Sequence, residues 1–398
     1  MLQVIAREDA IQCVETCAAR LAVRTEVLPL RCACGRVLAQ DIISERAVPP
    51  FDRSTMDGFA VCAADTFGAG AAIPAELAVV ADIKMGEAAT AVLSRGQCAR
   101  IATGGMLPKG ADAVVMVEQT EDLGDLCLCY GAVAPGANVT RKGDDIACGS
   151  AVLRRGTALG AGQIGALASL GVRQVPVFEK PRVAVISTGD ELVQADPTDG
   201  QICDCNSDLL YAAATADGCE VFCFGAVKDD RAQIRAAMEA CLARADIILI
   251  SGGSSAGAKD MTVGILRELG TVHFHGIAMK PGKPTIFGTV GEKLVFGLPG
   301  HPLAAYFVYR TVVCAALQKL LCLPQQMPIG SGRLLENIPS NHGREELLCV
   351  RIDKNGGVTP LHTKSGILSV LTEAQGYVRI SRNAEGLQKG EEIDIYRL

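Results

Sequence analysis

The stretch ADIILISGGSSAGAKDMTVGILRELG, residues 245–270, combines an apolar run, a loop rich in glycine and serine, and a helical segment. The run DIILI is typical of a strand buried on both faces of a sheet. The segment that begins near Met261 has helical character and stops at Gly270. This order predicts one strand–loop–helix unit of a mostly parallel α/β sheet.

The same alternation continues on both sides of this unit. Further strands are predicted for RVAVIST, EVFCFGAV, TVHFHGIAM and KLVFGLPG, which begin at residues 182, 220, 271 and 293. Helices are predicted for NSDLLYAAATADG, capped by Asn206 or Ser207, for DRAQIRAAMEACLARA, and for HPLAAYFVYRTVVCAALQKLL. Strands that alternate with helices of this length favour a mostly parallel sheet covered on both faces.

The flanking segments have a different pattern. Residues 7–20 and 156–171 predict helices, the second of them ended by a glycine. Between 75 and 155 the chain has short β-rich runs separated by glycine turns, and 326–398 returns to short alternating strands. The predicted fold class is therefore a multidomain α/β plus β protein whose C-terminal domain is a small β-barrel or sandwich.

Composition limits the possible functions. The 398 residues are 49% hydrophobic and 21% charged, as in folded globular proteins, and the net charge of −6 argues against broad binding to nucleic acid. No apolar run reaches the ~18 residues of a membrane helix, and the N-terminal stretch MLQVIAREDAIQ lacks a signal-peptide core. We therefore expect a cytoplasmic protein without a nucleic-acid or membrane partner.

Seventeen cysteines are present, and no two form a CxxC pair. Free thiols in this number suit a reducing compartment, and zinc sites usually have tighter paired spacings, so most cysteines are interpreted as small core hydrophobes. His273 and His275 share one face of a predicted strand. Because no third ligand is evident from the sequence, a structural role is expected for both.

Polar and glycine residues follow the predicted strands at their carboxyl ends, where open α/β sheets bind ligands. Glycines let backbone N–H groups approach an anion, a helix N-terminus favours it, and lysines add positive charge. Carboxylates beside bound phosphates imply an intervening Mg²⁺. The candidates are Thr188, Gly189, Asp190, Glu191, Asp229, Asp230, Ser251, Gly252, Gly253, Lys280, Lys283, Pro299, Gly300, His301 and Pro302.

Each feature also has a simpler explanation. The glycine-rich loop and KPGKP can be ordinary turns, and Asp229 and Asp230 can be helix N-caps. The GxGxxG and GxxxxGK[ST] signatures are absent, which disfavours an ordinary dinucleotide or P-loop site. The convergence of five strand ends on one edge favours a pocket for phosphate or a similar oxyanion.

These motifs, in their order, resemble those of the molybdopterin molybdenumtransferases, the MoeA and gephyrin E-domain family. The resemblance covers nearly the whole chain, and the order and spacing of the motifs are more specific than any single one. The motifs are PPFDRSTMDGFAV (49–61), RIATGGMLPKGADAVVMVE (100–118), KGDDIACG (142–149), VAVISTGDELV (183–193), DCNSDLL (204–210), SGGSSAGAKDMT (251–262), MKPGKP (279–284) and GLPGHP (297–302).

The resemblance implies four domains and a homodimer. The implied domains are an elongated one (1–46 and 139–178), a β-rich insert (47–138), an α/β molybdopterin-binding domain (179–325) and a C-terminal β domain (326–398). Each implied active site lies between the pterin-binding domain of one subunit and the N-terminal half of the other. Molybdopterin adenylyltransferase and molybdoenzyme apoproteins are further partners that the family suggests.

The implied reaction takes adenylylated molybdopterin (molybdopterin-AMP) and molybdate as substrates. Molybdenum is inserted at the dithiolene, and Mg²⁺-dependent hydrolysis of the phosphoanhydride releases AMP. The residues that match catalytic positions are Asp57, Thr103, Asp145, Glu191, Asp260, Lys280 and Lys283, with Glu191 and Asp260 as the metal ligands. Arg351 and Ser365 match ligand-binding positions of the C-terminal domain.

Some positions depart from the family pattern. His301 replaces the usual asparagine of GLPGNP, and TGGMLP replaces TGAPLP, so the choice between molybdate and tungstate stays open. A molybdopterin adenylyltransferase is a second possible function, but the stand-alone enzyme lacks the half that carries STMDGFA and KGDD. A non-catalytic pterin-binding scaffold is the third; the acidic and lysine residues argue against it.

Overall fold

The computed structural model describes residues 4–252 and 256–398, except for the side chains of residues 256–259. The segment 245–270 contains a strand, Ile247–Gly252, followed by a helix, Ala256–Leu269. The helix begins five residues earlier than the sequence predicted. Gly253, one of the residues predicted to bind ligand, lies outside the described residues.

A six-stranded sheet forms the centre of the α/β domain. Its strands, in spatial order, are Glu220–Val227, Arg182–Thr188, Ile247–Gly252, Lys293–Leu298, Ile286–Val290 and Thr271–His275. The first four are parallel, Ile286–Val290 is antiparallel to its neighbours, and Thr271–His275 closes the edge. The mostly parallel sheet is confirmed, but the sequence analysis missed Ile286–Val290 and extended the edge strand four residues too far.

Helices cover both faces of this sheet. Successive side chains of a strand point to opposite faces of the sheet. Ala184 and Ile186 therefore belong to the apolar cluster on one face, and Val183 and Val185 belong to the cluster on the other. One face carries the helices Arg231–Leu242 and Ala256–Leu269. The other carries Cys205–Ala216, Pro302–Val308 and Cys314–Leu320, the last two joined by a π-helical turn, Tyr309–Val313.

The predicted helix caps need correction. Asp204, and neither Asn206 nor Ser207, caps the helix Cys205–Ala216 through the Ser207 N–H. Asp230 caps the helix Arg231–Leu242 by accepting from the Gln233 N–H at 2.9 Å. Asp230 is therefore a helix N-cap, the simpler of the two explanations, whereas Asp229 does not cap this helix.

The N-terminal half contains a second six-stranded sheet and three two-stranded ones. In spatial order the strands of the larger sheet are Ala113–Met116, Gly58–Val61, Gln97–Ile101, Ala75–Ile83, Leu126–Cys129 and Thr120–Asp122. The small sheets pair Thr25–Pro29 with Gln174–Phe178, Ile42–Ile43 with Ala151–Leu153, and Arg53–Ser54 with Val139–Thr140. The second predicted helix spans Ala161–Ser169. These pairings join chain segments on either side of the insert, while the domain boundaries themselves stay a prediction.

The N-terminal helix, Arg7–Ala18, packs on the α/β domain. Its residues Ala10, Val14, Cys17 and Ala18 belong to the same apolar cluster as the central sheet. The C-terminal sheet contacts this domain through the short strand Met279–Lys280, which pairs with the C-terminal strand that begins at Glu345. Besides Met279–Lys280, the strands of this sheet are, in chain order, Gly330–Leu334, Glu345–Ile352, Gly357–Pro360, Gly376–Ile380 and Glu392–Ile395. Within the described residues, no helix is both long and apolar enough to cross a membrane.

Candidate active site

Two adjoining clefts lie at the carboxyl edge of the central sheet. The larger one, about 840 Å³, lies between the α/β domain and the C-terminal domain. The smaller one, about 410 Å³, lies over the ends of the strands Arg182–Thr188 and Ile247–Gly252. Gly300, His301 and Gly366 line both clefts and therefore form their common wall.

The smaller cleft depends on a close approach of two strands. Gly252 lies beside Thr188 in register, with φ +146°. A Cβ on Gly252 would lie 2.2 Å from the Thr188 carbonyl oxygen, so only glycine fits. Gly252, Thr188 and Ser251 together line the floor of this cleft.

A buried polar network fixes the floor of the smaller cleft. The Asn206 side-chain amide donates to Ser251 Oγ at 2.7 Å and to the Gly300 carbonyl at 2.8 Å. One side chain therefore holds the ends of two strands at a set distance, because buried polar groups in such networks are costly to leave unpaired. The sequence analysis quoted DCNSDLL as a motif but did not assign Asn206 to the site.

The two predicted lysines both line the larger cleft but have different partners. Lys280 Nζ lies 2.7 Å from a carboxylate oxygen of Glu346, a buried residue of the C-terminal domain. Lys283 is half-buried, and no carboxylate of the described part of the chain forms an ion pair with it. Lys283, whose ammonium has no described ion pair, is therefore the better candidate for contact with an anionic ligand, while Lys280 also joins the two domains.

Three carboxylates cluster beside the smaller cleft. Asp190 accepts from the Asp229 N–H at 3.1 Å, and Glu191 lines the cleft. Burial, and then the charges of Asp190 and Glu191, raise the pKa of Asp229. Asp229 Oδ1 is buried and has no hydrogen-bond partner within the described structure. A carboxylate oxygen without a partner next to two other acids is a feature that a divalent cation would explain.

The wall between the clefts is built from both domains. His301 Nδ1 lies 2.8 Å from Ser365 Oγ, and the Leu303 N–H donates to the Ser365 carbonyl. His301 precedes the helix that begins at Pro302. Pro299 lines the larger cleft and Pro302 the smaller one, so this predicted strand end does lie at the site.

Several predicted residues lie elsewhere in the single chain. Asp57 lines a separate cleft of about 420 Å³ in the insert domain, and its Oδ1 accepts from the Thr103 N–H and hydroxyl. Asp145 is exposed and donates its N–H to the Val48 carbonyl. None of these three residues lines either cleft of the central sheet, as far as the described residues show.

Two more predicted residues are not brought to the clefts. Asp260 is exposed on its helix, and Arg351 pairs with Glu373 at 2.5 Å on the surface of the C-terminal domain. Among described residues, neither lines either cleft. The larger cleft is instead lined by Arg344, Thr363 and Lys364, which the sequence analysis missed. Lys364 could have been predicted from the sequence, because it directly precedes Ser365, which was already a candidate.

The comparisons with known proteins match this chain over most of its length. Three family models match in order along the chain: "MoeA N-terminal region (domain I and II)" at 5–171, "Probable molybdopterin binding domain" at 184–319, and "MoeA C-terminal region (domain IV)" at 331–398. The chain belongs to the MoeA family.

Relatives of this MoeA-family chain cover nearly its full length. It is 32% identical over 391 residues to molybdopterin molybdenumtransferase 2 of Mycobacterium tuberculosis, which covers 95% of this chain and 96% of the relative. It is 31% identical over 383 residues to the molybdopterin molybdenumtransferase of Bacillus subtilis, covering 93% and 89%. A crystal structure of the molybdopterin biosynthesis MoeA protein of Pyrococcus horikoshii superposes with a TM-score of 0.88 at 33% identity and 100% coverage of both chains.

Proposed function

We propose that this MoeA-family chain is a molybdopterin molybdenumtransferase that converts adenylylated molybdopterin and molybdate into molybdenum cofactor and AMP. Its curated relatives carry that name. The observation that carries the proposal is the pair of clefts that share Gly300, His301 and Gly366, one lined by lysine and arginine side chains and the other bordered by clustered carboxylates.

The larger cleft suits the anionic groups of the substrates. Lys280, Lys283, Arg344 and Lys364 line it, although the whole chain has a net charge of −6. A local set of cations in an otherwise acidic protein favours an anionic ligand at that place. Lys283 would donate to a phosphate or molybdate oxygen, and the apolar wall, which includes Leu303 and Phe307, excludes water from part of the ligand.

The smaller cleft fits a magnesium ion. Asp229 and Glu191 would hold it, because Asp229 has the buried oxygen without a partner and Glu191 lines the cleft. When bound there, Mg²⁺ would polarise the phosphoanhydride and neutralise its charge. Asp190 holds Asp229 in place through the Asp229 N–H. Asp260, the other ligand implied by the resemblance, has no described contact with this group and stays a prediction.

A second subunit would complete the site. Asp57 and Thr103 form one hydrogen-bonded unit in the insert domain, and they lie outside both clefts of their own chain. A homodimer that places this unit, together with Asp145, over the partner's clefts accounts for their separation. Asp57 would then accept a proton or orient water at the anhydride.

The test is turnover with adenylylated molybdopterin, Mg²⁺ and either molybdate or tungstate, followed by AMP release and metal incorporation. Lys283→Ala and Asp57→Ala should each reduce AMP release at least a hundredfold and leave the circular dichroism spectrum unchanged. Asp394→Asn, at an exposed position of the C-terminal sheet, is a control that should keep full turnover. Pterin binding without any AMP release by the wild type would favour a scaffold instead.

Mixing the two inactive variants tests the shared site. If each site combines Lys283 of one subunit with Asp57 of the other, a heterodimer of Lys283→Ala and Asp57→Ala subunits has one intact site. Random exchange of equal amounts should therefore restore about a quarter of wild-type turnover. No recovery after verified subunit exchange would show that both residues act in the same subunit.

A further inference from the structure

Three metal-binding side chains meet away from both clefts. Cys13 and Cys17 are four residues apart on the N-terminal helix and so share one of its faces. His273 is on the edge strand Thr271–His275. Their sulfur and imidazole ligand atoms all lie within 4.8 Å of one another. The sequence analysis had not found a third ligand for the histidine, because the helix is about 255 residues away along the chain.

The distances fit one shared ion. Cys17 Sγ lies 3.5 Å from His273 Nε2. In a tetrahedral site with Zn–S of about 2.3 Å and Zn–N of about 2.0–2.1 Å, ligand sulfur and nitrogen lie about 3.5 Å apart. The sheet and the N-terminal helix therefore already hold these two atoms at a spacing that a zinc ion would require.

The imidazole is held in place by its surroundings. The pairing of the edge strand with its neighbour shifts register between Val272 and Phe274, so His273 lies at a bulge, a feature that often redirects a side chain. Its ring stacks on Phe287 with centroids 5.4 Å apart, and Nε2 also lies 3.0 Å from Thr289 Oγ1. A ligand with a fixed ring loses little conformational entropy when it binds a metal.

We propose that Cys13, Cys17 and His273 form a Zn²⁺ site that ties the N-terminal helix to the edge of the central sheet. Two thiolates and one neutral imidazole supply three ligands of the kinds that zinc prefers, and water or the Thr289 hydroxyl would complete the tetrahedron. Binding releases the two thiol protons to solvent and leaves a site of zero net charge.

The site has a buried side and a solvent-exposed side. Cys17 is buried and Cys13 is half-buried, so the two sulfurs lie on the inner side. The exposure of His273 gives an ion access from solvent.

The experiment uses the full chain after treatment with a chelator. Zn²⁺ titration against a competing chelator should give one ion per chain, and Co²⁺ should produce thiolate-to-metal charge-transfer absorption. Cys13→Ser with Cys17→Ser should abolish both signals. His273→Gln, at an exposed position, should weaken Zn²⁺ affinity at least tenfold while circular dichroism checks that the fold is kept.

A matched control separates this site from the other thiols. Cys32 and Cys34 are both exposed, so Cys32→Ser with Cys34→Ser removes two accessible sulfurs and should leave the bound zinc unchanged. Equal zinc affinity and stoichiometry in the wild type, the His273→Gln variant and the Cys13/Cys17 double variant would overturn the proposal. Loss of zinc in the Cys32/Cys34 control alone would overturn it as well.

Discussion

The imidazole of His301 and the hydroxyl of Ser365 lie 2.8 Å apart, and they join the α/β domain to the C-terminal domain at the wall between the two clefts. The Leu303 N–H reinforces this contact through the Ser365 carbonyl. The site therefore depends on how the two domains dock. In this chain a histidine makes the contact, at a position where the family pattern has asparagine.

Removing the Ser365 hydroxyl tests the docking contact. A typical hydrogen bond contributes about 1 kcal/mol, so Ser365→Ala should raise the KM for adenylylated molybdopterin about fivefold while kcat changes little. Ser331→Ala is the control, because the exposed Ser331 hydroxyl donates to the exposed Glu392 and neither residue lines the two clefts. An unchanged KM in Ser365→Ala would exclude the contact from ligand binding.

Gly252→Ala should disrupt the smaller cleft. The added Cβ would lie 2.2 Å from the Thr188 carbonyl at a φ of +146°, which should cost about 3 kcal/mol or more in the free energy of unfolding. Gly165→Ala is the matched control: the helical glycine Gly165 has open space around it and should gain about 0.5–1 kcal/mol. Urea unfolding of both variants measures the difference. Equal stability of the two would contradict the described approach of the strands.

The two lysines should separate stability from activity. Lys280→Met leaves the buried Glu346 carboxylate without its ammonium partner and should lower the free energy of unfolding by about 1–3 kcal/mol. Lys283→Met breaks no described ion pair, so stability should change by less than about 0.5 kcal/mol while AMP release falls. Denaturant unfolding alongside turnover distinguishes the two. Equal destabilisation of both variants would show that Lys283 also has a structural partner.

Asp246 should make stability depend on acid pH. Burial alone would raise the pKa of its carboxyl, but hydrogen bonds from Arg182 and the charges of Arg182 and Arg24 outweigh it and lower the pKa below 3.8. A carboxyl with a lowered pKa in the folded state stabilises the protein above its ordinary pKa, and this contribution is lost as the pH falls through the folded-state value.

We therefore expect Asp246→Asn to be about 1–2 kcal/mol less stable than the wild type at pH 7. The difference in the free energy of unfolding between the wild type and this variant should disappear as the pH falls below about 4. Unfolding in urea over a series of pH values measures this difference. Asp394→Asn, at an exposed position, should show no such dependence. A difference that stays constant down to pH 2 would mean that the charge of Asp246 does not stabilise the fold.

The sequence by itself determined the layered α/β core and the edge of the sheet at which the two clefts lie. Apolar strands such as Ile247–Gly252 can only be buried on both faces, and their polar ends then meet at one edge. From the same local information Lys283, Ser251 and His301 were predicted at this edge, and all three line the clefts. The motif order also identified the family.

Only the tertiary structure decided which of these side chains stay free and which pair with one another. Glu346 holds Lys280 and Asp230 is used as a cap, whereas the Asp229 oxygen is left buried without a described partner. The tertiary structure also brings Ser365 to His301 and Cys17 to His273, and these pairs are 64 and 256 residues apart in the chain. The spacing of apolar residues predicts which face of a helix or strand a residue lies on. Contacts between distant segments depend on domain docking and helix packing, which leave no periodic signal in the sequence.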